Sequence, residues 1–197
     1  MRTLMLAILF ASFPALATLK TQMVDYKDGD VHLSGYLSFD TKFKGPRPAV
    51  LVVHEWMGLD AYAKKRADML AGLGFVAFAA DIYGKGVIPK DLSEAGKISS
   101  DWKANPFKLR TRVKAALDTM ASQKGVNAKK MAAIGYCFGG TTVLELARMG
   151  ADLQGVVSFH GGLSSKEEVT TPGVIKTKVL VLHGADDPFV KHDEVDA

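Results

Sequence analysis

The stretch MAAIGYCFGGTTVLELAR, residues 131–148, decides the fold. Met131 to Ile134 is a short apolar run, Thr141 to Arg148 has amphipathic helical spacing, and Gly135-Tyr136-Cys137-Phe138-Gly139 joins them. Strand, Gly-x-Cys-x-Gly, helix is the form of a nucleophile elbow with Cys in place of Ser. The central residue of an elbow is held in a strained turn, and the flanking glycines let strand and helix approach closely. Cys137 is then presented at the top of a sheet and at a helix N-terminus, where the macrodipole and free N–H groups favour thiolate over thiol. The Phe138 N–H becomes a candidate oxyanion donor. Two plainer readings compete. A buried Cys in a glycine-rich turn is often inert. A phosphate loop would need GxGxxG spacing or a Walker Lys-Ser/Thr, and neither is present.

Outward from this stretch, further apolar runs recur at Ala49 to Val53, Phe75 to Ala80, Val156 to Phe159 and Val179 to Leu182. Short Val- and Leu-rich runs without alternation suit strands buried on both faces of a parallel sheet. Tyr62 to Ala71 and Phe107 to Ser122 are amphipathic and read as helices between them. Two alternating segments lead in, Gln22 to Tyr26 and Val31 to Phe39, with Lys27-Asp28-Gly29-Asp30 as a hairpin turn. The pattern predicts an α/β fold in one domain: a doubly wound, mostly parallel sheet with an N-terminal antiparallel hairpin. Ligands in such sheets sit outside the carboxyl ends of the strands. Those ends carry His54-Glu55-Trp56, Asp81-Ile82-Tyr83-Gly84-Lys85, the elbow, His160-Gly161-Gly162 and His183-Gly184-Ala185-Asp186-Asp187.

Composition narrows the function classes. The chain has 197 residues, 48% hydrophobic and 23% charged, with 25 Lys+Arg against 21 Asp+Glu. The charges are interspersed, which leaves no nucleic-acid footprint. A single Cys excludes an internal disulfide framework and a Cys-only metal cage. No metal or cofactor is expected. Residues 1–17 have the three parts of a secretory signal: Arg2, an apolar stretch from Leu4 to Phe13, and Ala15-Leu16-Ala17 as a small-x-small cleavage site. The expectation is export, periplasmic or secreted, with cleavage after Ala17 and no membrane association afterwards. The single folded domain would be residues 18–197.

His54-Glu55-Trp56-Met57-Gly58-Leu59, Asp81-Ile82-Tyr83-Gly84, the elbow and His183-Gly184-Ala185-Asp186-Asp187-Pro188 together resemble the successive motifs of the dienelactone hydrolase family. The resemblance runs from about the hairpin to the last residues. It implies an α/β-hydrolase fold, a small-molecule ester or lactone as substrate, and a Cys-His-Asp triad. Position by position it implies Cys137 as nucleophile, Asp187 as the acid that orients the catalytic His, and Glu55 as the carboxylate that hydrogen-bonds the resting thiol. It implies the Trp56 and Phe138 N–H groups as oxyanion hole and Tyr83 as a pocket residue; His160, at its own strand end, is expected to meet substrate as well. Lys85 stands where dienelactone-specific members carry an arginine for the substrate carboxylate. A Lys binds a carboxylate as a point charge, not as a bidentate fork.

Read without the resemblance, Glu55 could cap a helix, His54, His160 and His183 could pack the loops, and Asp187-Pro188 could be a turn. Triads of this superfamily run nucleophile, acid, His. His192 is the only His after Asp187, so the reading expects the last strand and helix to be missing from this chain. Three classes follow: a thiol hydrolase, a catalytically impaired remnant that binds ligand without turnover, and, with least support, a nucleotide- or flavin-binding α/β protein. If the helix terminus dominates, Cys137 should alkylate faster than a free thiol, with Glu55 opposing.

Overall fold

The computed structural model describes residues 18–166, 171–190 and 192–196; the export signal expected at residues 1–17 lies outside the described residues. Strands β1 (Leu19–Asp28) and β2 (Val31–Asp40) form the hairpin, which turns where Gly29 takes a φ of +58°. The antiparallel register runs from Leu19 opposite Asp40 to Asp28 opposite Val31. β2 pairs antiparallel with β4 (Val76–Ala80), and β4 pairs parallel with β3 (Arg47–Val53). Beyond β3 lie β5 (Val126–Tyr136), β6 (Gly155–Phe159) and β7 (Lys178–Leu182), all parallel. The order β1-β2-β4-β3-β5-β6-β7 is the mostly parallel sheet with a leading hairpin that the sequence predicts.

The strand order reverses at β3. From β3 the chain crosses to β4 on one side, whereas β5 continues to β6 on the other. Loops leaving β3 and β5 therefore diverge and open a crevice at the carboxyl ends, the usual ligand position in an open α/β sheet. Residues 54–56 follow β3, and Cys137 follows β5.

Alternation along the central strands fills two layers. Val52, Ala77 and Ala79 meet Ala63 and Ala67 of α1 (Ala61–Gly72), where small side chains let the helix lie close. Leu51, Val53, Val76 and Phe78 point the other way. They join the larger core under α3 (Pro106–Ala121) and α4 (Phe138–Arg148). Full burial of each such side chain contributes roughly 1.5–3 kcal/mol, so this layer dominates the favourable side of stability. Arg112 of α3 lies inside it: Nε donates to Asp28 at 2.8 Å and a terminal nitrogen to the Ile82 carbonyl at 2.7 Å. That pair of bonds ties the hairpin turn to the segment that carries Tyr83.

Two elements differ from expectation. α2 (Leu92–Lys103) was not among the elements read from the sequence, and it turns Ala95, Ser99 and Trp102 inward at helical spacing. Its start is a reciprocal cap: Asp91 accepts from the Glu94 N–H at 2.8 Å, and Glu94 accepts from the Lys90 N–H at 2.8 Å. The run Val179 to Leu182 is a strand but is not buried on both faces; Val179, Leu180 and Leu182 are 48%, 51% and 44% exposed. β7 is the edge of the sheet, and its faces lack the helical cover that β3 and β4 have. The short helix α5 (His192–Asp196) follows, and the carboxylate of Glu194 accepts from the N–H groups of Leu163 and Ser164.

Candidate active site

Cys137 caps the N-terminus of α4 with φ +53° and ψ −111°. Both flanking glycines are there for space. A Cβ on Gly135 would lie 1.9 Å from the Gly139 carbonyl oxygen, and one on Gly139 would lie 2.3 Å from that of Val53. The elbow is pinned to its neighbour strand by the Cys137 N–H, which donates to the Phe159 carbonyl at 2.9 Å. Cys137 and His160 are the only non-glycine residues with positive φ among the described residues, at +53° and +58°. They occupy the ends of adjacent parallel strands.

The sulfur is half-buried and its thiol is pushed up from the ordinary range, chiefly by burial. The Phe138 N–H donates to it and pulls the other way, the charges of Glu55 and Asp187 raise it, and Lys103 lowers it. Burial is the largest of these influences, and the charge of Glu55 acts in the opposing sense expected of it. Lys103, at the end of α2, was invisible in the sequence because that helix was. Its advance signals were the Asp91/Glu94 cap and the spacing of Ala95, Ser99 and Trp102.

Glu55 faces the same crevice. Burial and the nearby Asp60 push its carboxyl up, against the opposing charges of His160 and Arg66. The hydrogen bond expected from the thiol to Glu55 is not formed among the described residues; the carboxylate acts on the sulfur through its charge. Glu55→Gln is therefore expected to lower the thiol's pKa and raise the rate of iodoacetamide alkylation at neutral pH. The wild-type rate should stay below that of a free thiol and keep climbing as pH passes the ordinary thiol range. An unchanged rate in the variant would mean the carboxylate does not reach the sulfur.

The Trp56 N–H has no acceptor among the described residues, and the Trp56 carbonyl accepts from the Tyr83 hydroxyl at 2.9 Å. Tyr83 is buried, and its hydroxyl is held protonated by burial and by the Cys137 charge. Its ring stands edge-on to His54 at 4.8 Å and packs on Phe138 at 5.3 Å. His54 is fully buried and neutral: one ring nitrogen meets the Glu55 carbonyl at 2.5 Å, and the other accepts from the Ile82 N–H at 3.3 Å. It braces both loops, as its strand-end position suggested.

The acid side of the site comes from the loop after β7. Asp187 accepts from the Phe189 N–H at 2.8 Å, the Val190 N–H at 3.2 Å and the His160 ring. Burial would raise its carboxyl, but those donors outweigh it and hold it low. Asp186 is exposed and takes no part. His183 lies 3.7 Å from Asp187 but spends Nε2 on the Val190 carbonyl at 3.1 Å.

His160, expected to line the pocket, also bonds Asp187 through Nδ1. Lys85, expected to meet substrate, has its ammonium 2.5 Å from Asp25 on β1, so an anionic substrate would have to compete with that carboxylate. His192 opens α5, and its side chain lies outside the described residues.

Comparisons with known proteins point the same way. The model of the dienelactone hydrolase family matches residues 33–197. Protein usf of Aquifex pyrophilus is 33% identical over 179 residues, which is 88% of this chain and 75% of that protein. A Bradyrhizobium protein named "Probable 2-oxo-3-(5-oxofuran-2-ylidene)propanoate lactonase" is 36% identical over 155 residues, 74% of this chain and 62% of that one. The crystal structure of a dienelactone hydrolase-like promiscuous phosphotriesterase from metagenomic libraries matches with a TM-score of 0.86 at 43% identity. That match covers 91% of this chain and 74% of the other.

Proposed function

The chain belongs to the dienelactone hydrolase family, and on that premise we propose that it cleaves carboxylic esters or lactones with Cys137 as nucleophile. The observation that carries the reading is the strained elbow. A non-glycine residue at φ +53°, between two glycines that admit no side chain, is costly backbone, and such strain clusters at functional sites. The N–H groups of Trp56, which has no acceptor among the described residues, and of Phe138, which donates to the resting sulfur, would hold the oxyanion.

In the first half-reaction the thiol gives its proton to Glu55, whose raised carboxyl makes it a better base than an ordinary carboxylate. The Sγ lone pair forms a bond to the acyl carbon, and the carbonyl electrons pass to an oxyanion held by Trp56 and Phe138. Collapse breaks the ester C–O bond, the leaving alkoxide takes back the proton held by Glu55, and a Cys137 thioester remains. Water then adds to the thioester, the C–S bond breaks, and carboxylic acid and free thiol are released. Tyr83 holds the Trp56 loop against Phe138 throughout. Export is part of the same proposal, supported by Arg2, Leu4 to Phe13 and Ala15-Leu16-Ala17.

The test is acylation by p-nitrophenyl acetate. One equivalent of p-nitrophenolate should appear in a burst, with the acetyl group recovered on the peptide that carries Cys137. Ligand binding with neither burst nor adduct would favour the impaired, non-catalytic reading.

A further inference from the structure

We propose that the chain has a second ligand site, at the end of the sheet away from Cys137, which takes a small organic anion: an apolar ring or short chain carrying a doubly charged phosphate head. The inference does not depend on the reading of Cys137 as nucleophile.

The site is a cavity of about 670 Å³ bounded by the start of β1, the end of β2 and the loop that leaves it, the start of β3 and the turn from α3 into β5. Small-molecule pockets occupy roughly 300–1,000 Å³. Arg47 opens β3 and His54 follows its last residue, so about 20 Å of strand separates the cavity from the crevice.

Charge selects the ligand. Lys20, Lys44, Arg47 and Lys124 line the cavity, and no Asp or Glu does. None of the four forms an ion pair among the described residues, whereas Lys42, Lys85, Lys97 and Lys114 all do. The carboxylate of Asp40, one residue beyond Phe39 on β2, is bonded to the Thr18 hydroxyl and to Lys42. Residues 1–17 contain no Asp or Glu that could supply a countercharge. Like charges around one concavity repel one another and focus a field into it, which a bound anion relieves. A singly charged head would leave most of that repulsion in place; a phosphate monoester dianion offsets far more of it.

Arg47 is fixed at the wall of the cavity. Its backbone N–H donates to the Gly125 carbonyl at 2.8 Å, and a terminal guanidinium nitrogen donates to the Asp40 carbonyl at 2.9 Å. The guanidinium also lies 5.8 Å from the centre of the Phe39 ring. The register between β3 and β5 slips between Arg47 and Ala49, an irregularity of the kind that re-aims a side chain. Nε of Arg47 is buried with no acceptor among the described residues, and an unpaired buried donor is costly enough to call for a partner. Phe39 and Phe43 supply the apolar wall. A solvated basic patch needs neither a pair of rings nor an anchored guanidinium; a pocket for an amphipathic anion needs both.

Isothermal titration calorimetry with 1-naphthyl phosphate tests the site, with inorganic phosphate and 1-naphthol as head and body alone. The wild type should bind the whole probe more tightly than either fragment. Affinity should fall as salt rises, because the three lysines are exposed and screened. The double variant Lys20→Met, Lys124→Met removes two exposed cations that make no hydrogen bond among the described residues, so the fold is kept. It should bind about tenfold more weakly, the loss of two exposed ion pairs at a few-fold each. Arg47→Met should weaken binding as well, and both variants should keep whatever p-nitrophenyl acetate burst the wild type shows. No binding of 1-naphthyl phosphate at millimolar concentration overturns the proposal, as does undiminished binding in the double variant. Equal affinity for 1-naphthol overturns it by reducing the site to an apolar patch. Binding that disappears once Cys137 is alkylated with iodoacetamide places the anion in the crevice and overturns it too. So does sedimentation with phosphatidic acid vesicles by a protein that ignores the soluble probe. A wild type that shows no burst counts against the proposed hydrolase alone, because the titration reads a site that Cys137 does not line.

Discussion

Cys137→Ala is expected to remove the acyl adduct and the turnover together, in a protein that remains folded. Losing the nucleophile of an acyl-transfer site costs on the order of 10⁶ in rate, because no other group in the site is placed to form the covalent bond. Stability should change by less than about 1 kcal/mol, since the position already carries a non-glycine at φ +53° and Ala adds no atom. Stopped-flow kinetics with p-nitrophenyl acetate, alongside a thermal melt, checks both halves. An acetyl group still found on the folded variant would place the nucleophile elsewhere.

Gly135→Ala is expected to be the most damaging single methyl group in the molecule's crevice. Its Cβ would meet the Gly139 oxygen at 1.9 Å and the Gly139 carbonyl carbon at 2.2 Å, and both are backbone. No rotamer relieves a backbone clash, so α4 would have to move off β5. α4 cannot move cheaply, because every residue from Phe138 to Ala147 is buried. The cost should exceed about 4 kcal/mol, against a total stability of roughly 5–15 kcal/mol for a domain. The melting temperature should fall by about 10 °C or more, or soluble protein should disappear. Gly184→Ala is the control: nothing lies within 4 Å of its Cβ, so the melt should scarcely move. Equal melting of the two variants would contradict the packing of the elbow.

The difference between those two glycines marks what the sequence could and could not convey. Gly-x-Cys-x-Gly is a local device, and so are the unalternating apolar runs of β3, β4, β5 and β6; each was legible because its cause lies within a few residues. The hairpin was legible for the same reason. α2 was passed over although Ala95, Ser99 and Trp102 recur at helical spacing, because two of the three inward side chains are small and only Trp102 reaches the main core. The exposure of β7 depends on its place at the sheet edge, which no local pattern records. Among site residues, Cys137, Glu55, Tyr83 and Asp187 stand at the strand ends where the motifs put them. Pairings did not follow from position. Lys85 with Asp25, His160 with Asp187 and Lys103 near Cys137 are set by register and by a helix whose ends the sequence hid.

The reversal of strand order at β3 also governs time. Glu55, Tyr83, Cys137, His160 and Asp187 leave five different strands, and Asp187 follows β7, which joins the sheet only through β6. Parallel pairings between distant segments form slowly, since each must close a long loop before any contact compensates. On a ribosome, the elbow, the Trp56 loop and Tyr83 have all emerged before the acid has been synthesised. The nascent chain can thus hold a formed elbow and Trp56 loop while the loop of Asp187 is still unmade. On the reading of Cys137 as nucleophile, a nascent chain exposed to an activated ester is expected to take up the acyl group before its acid loop exists.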